Sequence, residues 1–251
     1  MLLAWEPFVI SGLFPTYDYN KRTGILSGAQ RKREGESNLA NQEQKSICRE
    51  IGARTGGDIY IGVVGPVRSG KSTFIKRFME QLVLPAIGPA AARERARDEL
   101  PQSAAGRTIM TTEPKFIPET AVPLQLEGGG ECRVRLIDCV GYMVEGAMGH
   151  EENDKPRMVK KAPWFDHEVP FDLAAETGTR KVICEHSTIG IVVTTDGSVS
   201  DIPREGYART EKRIVEELDA LGKPYIILLN STHPDAPETK QLAEGMARDY
   251  D

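Results

Sequence analysis

The residues best suited to chemistry form a glycine-rich loop that ends in a lysine and a serine. The stretch from Gly65 to Ser72 fits G-x-x-x-x-G-K-[ST], the phosphate-binding loop of nucleoside triphosphatases. In such a loop backbone N–H groups surround the phosphates, the lysine contacts the β- and γ-phosphates, and the serine ligates Mg²⁺. A chance match in a glycine-containing turn is the alternative. The predicted nucleotide-binding residues here are Gly65, Pro66, Val67, Arg68, Ser69, Gly70, Lys71, Ser72 and Thr73.

The sequence on either side of the loop favours the functional interpretation. Residues 58–64 are mostly apolar and β-branched, which predicts a buried strand. Residues 71–83 carry apolar side chains at helical spacing. A strand, a glycine loop and a helix in this order place the phosphates at the positive N-terminal end of the helix.

A second motif follows another predicted strand. Residues 132–137 lead into Asp138, and Gly141 completes the pattern Asp-x-x-Gly. An aspartate at such a strand end usually holds the Mg²⁺ shell, and the glycine N–H would donate to the γ-phosphate. The alternative is an aspartate that only caps a turn.

Two threonines lie between these motifs. In small-GTPase-like folds a threonine at this place contacts Mg²⁺ and the γ-phosphate, and Thr111 and Thr112 are both candidates. We predict that both act in catalysis and that Thr112 ligates the metal. The alternative is that they are β-favouring residues that begin a strand.

The segment that would read the base departs from the GTPase pattern. GTPases use Asn-Lys-x-Asp after an apolar strand, and here residues 225–229 lead into Asn230, Ser231, Thr232 and His233. Asn230 is kept as a predicted binding residue, but the carboxylate that would pair with guanine is missing. Without this carboxylate the polar groups of guanine would be left unpaired, and unpaired polar groups are what reject a wrong base. We therefore predict ATP rather than GTP as the nucleotide.

The predicted catalytic groups also depart from the pattern of GTPases. Tyr142 follows Gly141 where Ras-like enzymes carry a glutamine that orients water, so unaided hydrolysis is expected to be slow. Arg68 lies inside the loop, where the phosphate loop of guanylate-binding proteins also has an arginine. We predict that it acts as an internal arginine finger. An arginine that faces solvent or pairs with an acid is the alternative.

Composition limits the remaining possibilities. The chain has 251 residues, a net charge of −5 and four cysteines without metal-ligand spacing. Neither nucleic acid nor zinc nor a disulfide framework is indicated, and reduced thiols in a cytoplasmic protein are expected. No membrane-spanning apolar run is present, and the N-terminus is a poor signal peptide.

Beyond residue 46 strands and helices alternate, which predicts an α/β fold. We expect a P-loop NTPase with a doubly wound, mostly parallel sheet of the small-GTPase-like type. Residues 1–46 are expected to be disordered or a spurious extension, and 47–251 to form the ATPase domain. Segment 142–170 is either a mobile loop or a long surface connection. Predicted strands cover 58–64, 114–117, 122–127, 132–137, 188–195 and 224–230, and predicted helices cover 71–83, 90–99, 171–186, 204–221 and 236–249.

Taken together, the motifs resemble the stage IV sporulation protein A family of endospore-forming bacteria. The resemblance extends from about residue 47 to the end of the chain. It rests on Arg54-Thr55-Gly56-Gly57-Asp58-Ile59-Tyr60, on residues 99–106 and 108–116, on Asp138-Cys139-Val140-Gly141-Tyr142, and on residues 178–183, 185–190 and 194–197.

The resemblance implies an ATPase that polymerises into the basement layer of the spore coat. It implies Lys71 as the phosphate-loop lysine, Asp138 as the Mg²⁺ aspartate, and Thr111 and Thr112 as sensor threonines. Implied partners are further copies of the protein, a small amphipathic membrane-anchoring peptide and other coat proteins, on the mother-cell side of the forespore. Family members continue past residue 251 into a middle and a C-terminal region, so we expect membrane docking to lie outside this chain.

Two other functions fit parts of the sequence. A regulatory GTPase-like switch shares the phosphate loop, but the altered base-reading segment argues against it. A nucleotide kinase needs an arginine-rich lid, and residues 93–97 are better explained as a surface helix. Asp196 either lines the nucleotide cleft or begins a turn with Gly197, and none of the four histidines is assigned to catalysis.

Overall fold

The centre of the molecule is a six-stranded, mostly parallel sheet. The computed structural model describes residues 8–11, 57–101, 113–125, 131–147, 151–152, 155–160 and 162–250. The sheet order is β1-β10-β9-β2-β4-β3. Its strands are β1 Phe8–Ser11, β2 Asp58–Val64, β3 Lys115–Gln125, β4 Glu131–Asp138, β9 Ile189–Thr195 and β10 Tyr225–Asn230.

The four inner strands β4, β2, β9 and β10 run parallel, and the two edge strands are antiparallel to their neighbours. The register places Val63 of β2 beside Asp138 of β4. Because the carboxyl ends of parallel strands meet at one edge of the sheet, this pairing brings the end of β2 next to the Asp-x-x-Gly segment.

The helices follow the strands as the periodicity predicts, with two additions. α1 Lys71–Phe78 and α4 Phe171–Lys181 each continue into a π-helical segment, π1 Met79–Val83 and π2 Val182–His186. A π-helical turn in a helix is uncommon and is often found at functional sites. The remaining helices are α2 Leu84–Ala86, α3 Ala90–Asp98, α5 Arg204–Ala220 and α6 Pro237–Asp249.

The sheet separates two apolar cores. Ile59, Ile61 and Val63 of β2 pack with α1 and π1 on one face. Val64 belongs to the core on the other face, which contains residues of π2, α5 and α6. Successive residues of a strand point to opposite faces, so helices on both sides require the near-continuous apolar strands seen in the sequence.

Two parts of the chain differ in detail from the sequence-based expectations. Within residues 1–46, which were expected to be disordered or a spurious extension, Phe8–Ser11 form β1 against β10. The division of the chain at residue 46 remains a prediction. The two strands expected at 114–117 and 122–127 are one edge strand, β3, whose register shifts between Ile117 and Val122. Pro118 and Pro123 fit an edge strand, because proline has no N–H to donate to a neighbour.

The segment 142–170 contains regular structure of its own. Two short antiparallel ribbons join β5 Glu151–Glu152 to β6 Lys155–Pro156 and β7 Met158–Val159 to β8 Val169–Pro170. Ala162 and Val169 pack with Ala174 of α4 in a small apolar cluster. Among the described residues, no helix is long and apolar enough to cross a membrane.

Candidate nucleotide site

The loop between β2 and α1 is closed by its own lysine. The side chain of Lys71 is buried, and its ammonium donates to the carbonyl oxygens of Pro66 at 2.6 Å and Gly65 at 3.3 Å. Burial lowers the pKa of Lys71, whereas Cys139 and Asp138 act in the opposite direction. The sequence therefore places a cation where the motif requires it, and the loop carbonyls hold it in position.

The start of α1 is open to an anion. Gly70 precedes the helix at φ 100°, and no described side chain caps it. The first N–H groups of a helix have no partner within the helix, and the helix dipole favours negative charge there. A side chain at position 70 would also collide, because a Cβ would lie 2.2 Å from Nδ2 of Asn230.

Asn230 supports this loop from the end of β10. Its Nδ2 donates to the carbonyl oxygen of Ser69 at 3.0 Å, and the side chain is buried. Ser231 is buried as well, and its hydroxyl accepts the N–H of His233 at 2.9 Å, whereas His233 is exposed. Asn230 therefore lies at the loop as predicted. That it contacts a nucleotide stays a prediction.

Asp138 lies at the end of β4, with its carboxylate beside Ser72 of α1. Burial raises the pKa of Asp138 to about 6, while the nearby charge of Lys71, the next largest influence, and a hydrogen bond from Ser72 act in the opposite direction. The buried oxygen Oδ1 has no hydrogen-bond partner among the described residues. A carboxylate and a hydroxyl from the two predicted metal-binding motifs thus meet next to the phosphate loop.

Three buried polar atoms without a described partner surround this loop, namely Asp138 Oδ1, Ser69 Oγ and Asn230 Oδ1. Buried polar groups are normally hydrogen-bonded, so unpartnered atoms at one place indicate a ligand. Within the described ranges no group of three or more His, Cys, Asp or Glu residues could hold a metal by itself. Mg²⁺ is commonly held by one or two carboxylates together with phosphate oxygens, and Asp138 with Ser72 fits that mode.

Arg68 has a left-handed backbone at φ 62°, the only non-glycine residue with positive φ among those described. This conformation costs an ordinary residue roughly 1–2 kcal/mol, and such strain is concentrated at functional sites. Its side chain is half-buried, and its charge lies near Tyr207, whose pKa is raised by burial. Arg68 is therefore in the loop, while its action on phosphate remains a prediction.

The Asp-x-x-Gly segment is docked on the phosphate loop. Tyr142 donates its N–H to the carbonyl oxygen of Gly65 at 3.2 Å and accepts the N–H of Val67 at 2.9 Å. At Gly141, with φ 96°, a Cβ would lie 2.2 Å from that same oxygen and 2.5 Å from Nζ of Lys71. The N–H of Gly141 donates to the hydroxyl of Thr179 at 3.1 Å. Donation of this N–H to a γ-phosphate therefore stays a prediction, and it requires an exchange of acceptor.

The side chain of Tyr142 is committed to α5. Its hydroxyl donates to Glu217, and the guanidinium of Arg213 lies 4.8 Å from the ring centre. Burial and Glu217 raise the pKa of this hydroxyl. The Tyr142 hydroxyl is therefore held by α5, and slow unaided hydrolysis stays a prediction.

Asp196 begins a turn, which was one of the two interpretations left open. Its carboxylate accepts the N–H and hydroxyl of Ser198 at 2.9 and 2.6 Å, and Gly197 follows at φ 92°. Ser198 Oγ in turn accepts the N–H of Thr232 at 2.9 Å. The turn therefore supports the segment after Asn230.

Thr111 and Thr112 lie outside the described residues, so their sensor and metal roles stay predictions. Sequence reasoning missed Thr179, which contacts Gly141, and Glu211, a fully buried acid bound by Arg204 at 2.6 and 2.9 Å. Neither belongs to a nucleotide motif. Thr179 lies in segment 178–183, which carries part of the family resemblance, but no role was predicted for it. The only sequence signal of Glu211 is a polar residue on the apolar stripe of a helix.

Comparison with known proteins now decides the family. A family model described as the ATPase domain of stage IV sporulation protein A matches residues 42–251. The chain belongs to the stage IV sporulation protein A family. It is 56% identical over 209 residues to stage IV sporulation protein A of Bacillus anthracis, covering 83% of this chain and 42% of that protein. The corresponding protein of Clostridioides difficile (strain 630) is 52% identical over 206 residues, covering 82% of this chain and 42% of that protein.

These matches confirm the predicted resemblance. The stage IV sporulation protein A relatives are more than twice as long as the region matched, and the chain spans 42% of their length. The matched region contains the phosphate loop, Asp138 and Asn230, and the matching model is that of an ATPase domain. The enzyme class of the domain is therefore ATP hydrolase, as the sequence predicted.

Proposed function

We propose that this chain is a Mg²⁺-dependent ATPase whose nucleotide cycle drives self-assembly of the basement layer of the spore coat. The observation that carries the chemical part is the Lys71 ammonium tied across the phosphate loop, with Asp138 and Ser72 beside it. Membership of the sporulation family supports the assembly part. The family resemblance also motivates a location on the mother-cell side of the forespore.

The residues at and beside the loop would have different roles toward the triphosphate. Lys71 and the open N-terminus of α1 would bind phosphate oxygens and neutralise part of their charge. Asp138 and Ser72 would hold Mg²⁺, which supplies charge stabilisation on the transferred phosphoryl group. Arg68 would add charge in the transition state. We infer a small-GTPase-like arrangement, and the antiparallel edge strand β3 next to four parallel strands supports it.

The partners are part of the same proposal. Further copies of this chain would form the polymer, and the small amphipathic membrane-anchoring peptide and other coat proteins are proposed from the family resemblance. The net charge of −5 supports the absence of nucleic acid among the partners.

Nucleotide competition tests the proposal against its main alternative, a regulatory GTPase-like switch. The purified chain is expected to prefer ATP to GTP, because His233 stands where guanine would need a carboxylate. Displacement of a fluorescent ATP analogue by unlabelled ATP and GTP measures this preference. A preference for GTP of tenfold or more, about 1.4 kcal/mol, would support the switch instead. His233→Asp is the matched variant, and it should gain affinity for GTP.

Replacement of Asp138 should separate nucleotide binding from hydrolysis. We expect Asp138→Ala to keep some affinity for ATP but to lose Mg²⁺-dependent turnover, since the metal acts most strongly on the transition state. Phosphate release at saturating Mg²⁺ and calorimetric titration with ATP measure the two effects. Asp58→Asn is the control, because Asp58 lies at the opposite end of the neighbouring strand and pairs with the exposed Arg133. Unchanged turnover in Asp138→Ala would show that another acid holds the metal.

A further inference from the structure

Thr179 is a buried hydroxyl group that contacts the phosphate site from a helix without any nucleotide motif. It lies in α4 and is fully buried. Its hydroxyl donates to the carbonyl oxygen of Ala175 at 2.9 Å and accepts the N–H of Gly141 at 3.1 Å. The bond to Ala175 alone would satisfy the hydroxyl proton within the helix. The bond from Gly141 is therefore a separate connection between α4 and the site.

Gly141 lies close to the Lys71 ammonium. A Cβ at this position would lie 2.5 Å from Nζ of Lys71, so the backbone here approaches as closely as only glycine permits. The N–H of Gly141 is bound to a neutral oxygen, although it lies next to the lysine that would contact the phosphates. Hydrogen bonds to charged oxygens are about twice as strong as those to neutral oxygens. A terminal phosphate oxygen is thus a stronger acceptor than the Thr179 hydroxyl.

We propose that Thr179 is a positioning residue that distinguishes ATP from ADP. Its hydroxyl holds the N–H of Gly141 when no terminal phosphate is present, and a terminal phosphate takes that N–H from it. The exchange frees α4 from the phosphate site only in the triphosphate state. This inference rests on the proposed ATPase function and names the residue that reports the state of the nucleotide.

The surroundings of α4 show what the exchange would move. Glu176 of this helix pairs with Arg213 of α5, and Lys181 at its end lies 5.9 Å from the ring centre of Trp164. Trp164 belongs to segment 142–170, which joins Gly141 to α4. The contacts that α4 makes with α5 and with this segment therefore depend on the position of α4. The fluorescence of Trp164 can report a change in that position.

Affinity for two nucleotides tests the proposal. Calorimetric titration with Mg²⁺ and either ADP or a non-hydrolysable ATP analogue gives the ratio of the two dissociation constants. Thr179→Val keeps the shape but removes the acceptor that competes with the terminal phosphate. One neutral hydrogen bond corresponds to roughly three- to tenfold in an equilibrium constant, so the preference for the ATP analogue should rise by about that factor. Thr179→Ser keeps the hydroxyl, and its ratio should stay within about twofold of wild type.

Fluorescence of Trp164 gives a readout that does not depend on turnover. In a Trp5→Phe background Trp164 is the only tryptophan. The ATP analogue should change its emission in wild type and in Thr179→Ser, and ADP should not. In Thr179→Val the emission should already differ before nucleotide is added. Thermal melting verifies that the variants are folded. If Thr179→Val is not folded, Thr179→Ala is used in its place.

An unchanged ratio and unchanged emission in the hydroxyl-free variant would overturn the proposal and leave Thr179 as a packing residue. Failure of the wild-type chain to bind either nucleotide would instead contradict the proposed ATPase function itself. The two failures are therefore distinguishable in the same titrations.

Discussion

Lys71→Ala is expected to abolish ATP binding. The substitution removes a buried cation that the fold holds against the loop, with Nζ at 2.6 Å from the carbonyl oxygen of Pro66. It also leaves two loop carbonyls without their donor, so the loop loses both charge and a tie across its first residues. Preorganised charge in a site with little water acts more strongly than the same charge in solvent. We therefore expect affinity to fall by about a hundredfold or more, which corresponds to about 2.7 kcal/mol.

Calorimetric titration with ATP and Mg²⁺ measures this loss. Lys76→Ala is the matched control, because Lys76 lies on the same helix α1 but beyond the loop. It should bind ATP with an affinity close to that of wild type. Binding by Lys71→Ala within about threefold of wild type, roughly 0.7 kcal/mol, would contradict the assignment of this loop.

Arg68→Ala is expected to reduce kcat on the order of a thousandfold while ATP affinity stays nearly intact. Arginine fingers act on charge that develops in the transition state, and effects of this size are typical of them. Three observations support the role. Arg68 lies within the phosphate loop, it has a strained backbone at φ 62°, and Tyr142 is held by Glu217 where a glutamine would otherwise orient water. A group that acts only in the transition state changes kcat without changing the binding of the ground state.

Two further variants separate the guanidinium from the backbone. Arg68→Lys should restore little activity, because an ammonium lacks the planar fork of donors. Arg68→Gly removes the side chain together with the left-handed strain, and it should lose turnover as Arg68→Ala does if the guanidinium is the cause. Phosphate release and calorimetry on the same preparations provide kcat and affinity. Turnover retained in Arg68→Ala would show that the catalytic charge comes from Lys71 or from a neighbouring copy in the polymer.

The local pattern of the sequence was sufficient to predict most of the core elements. Strand β2 and helix α1 flank the loop as the apolar, β-branched run and the helical spacing indicated, and Asp138 ends β4 as predicted. These features are encoded by contiguous residues, because a strand, a glycine turn and a helix each depend on neighbours in the chain. The family resemblance followed from the same short segments, and the family comparison confirmed it.

Tertiary structure alone decided which polar residues inside the apolar stripes matter. Glu211 occupies a core position of α5, where Arg204, seven residues earlier on the same helix, binds it. Only the fold adds Thr194 of β9 at 2.6 Å and Tyr250 at 2.7 Å. Buried charge is tolerated only with such partners, and two of these three come from outside the helix.

Tertiary structure also decided the pairing of β1 and the contact between Thr179 and Gly141. β1 lies against β10, more than 200 residues away in the chain, although the pattern of residues 8–11 names no partner. Gly141 and Thr179 meet only because α4 packs under the Asp-x-x-Gly segment. The motifs alone predicted which residues would surround a phosphate. Which neighbour holds each backbone N–H was decided by the packing of distant elements, since a hydrogen bond depends on distance in space and not along the chain.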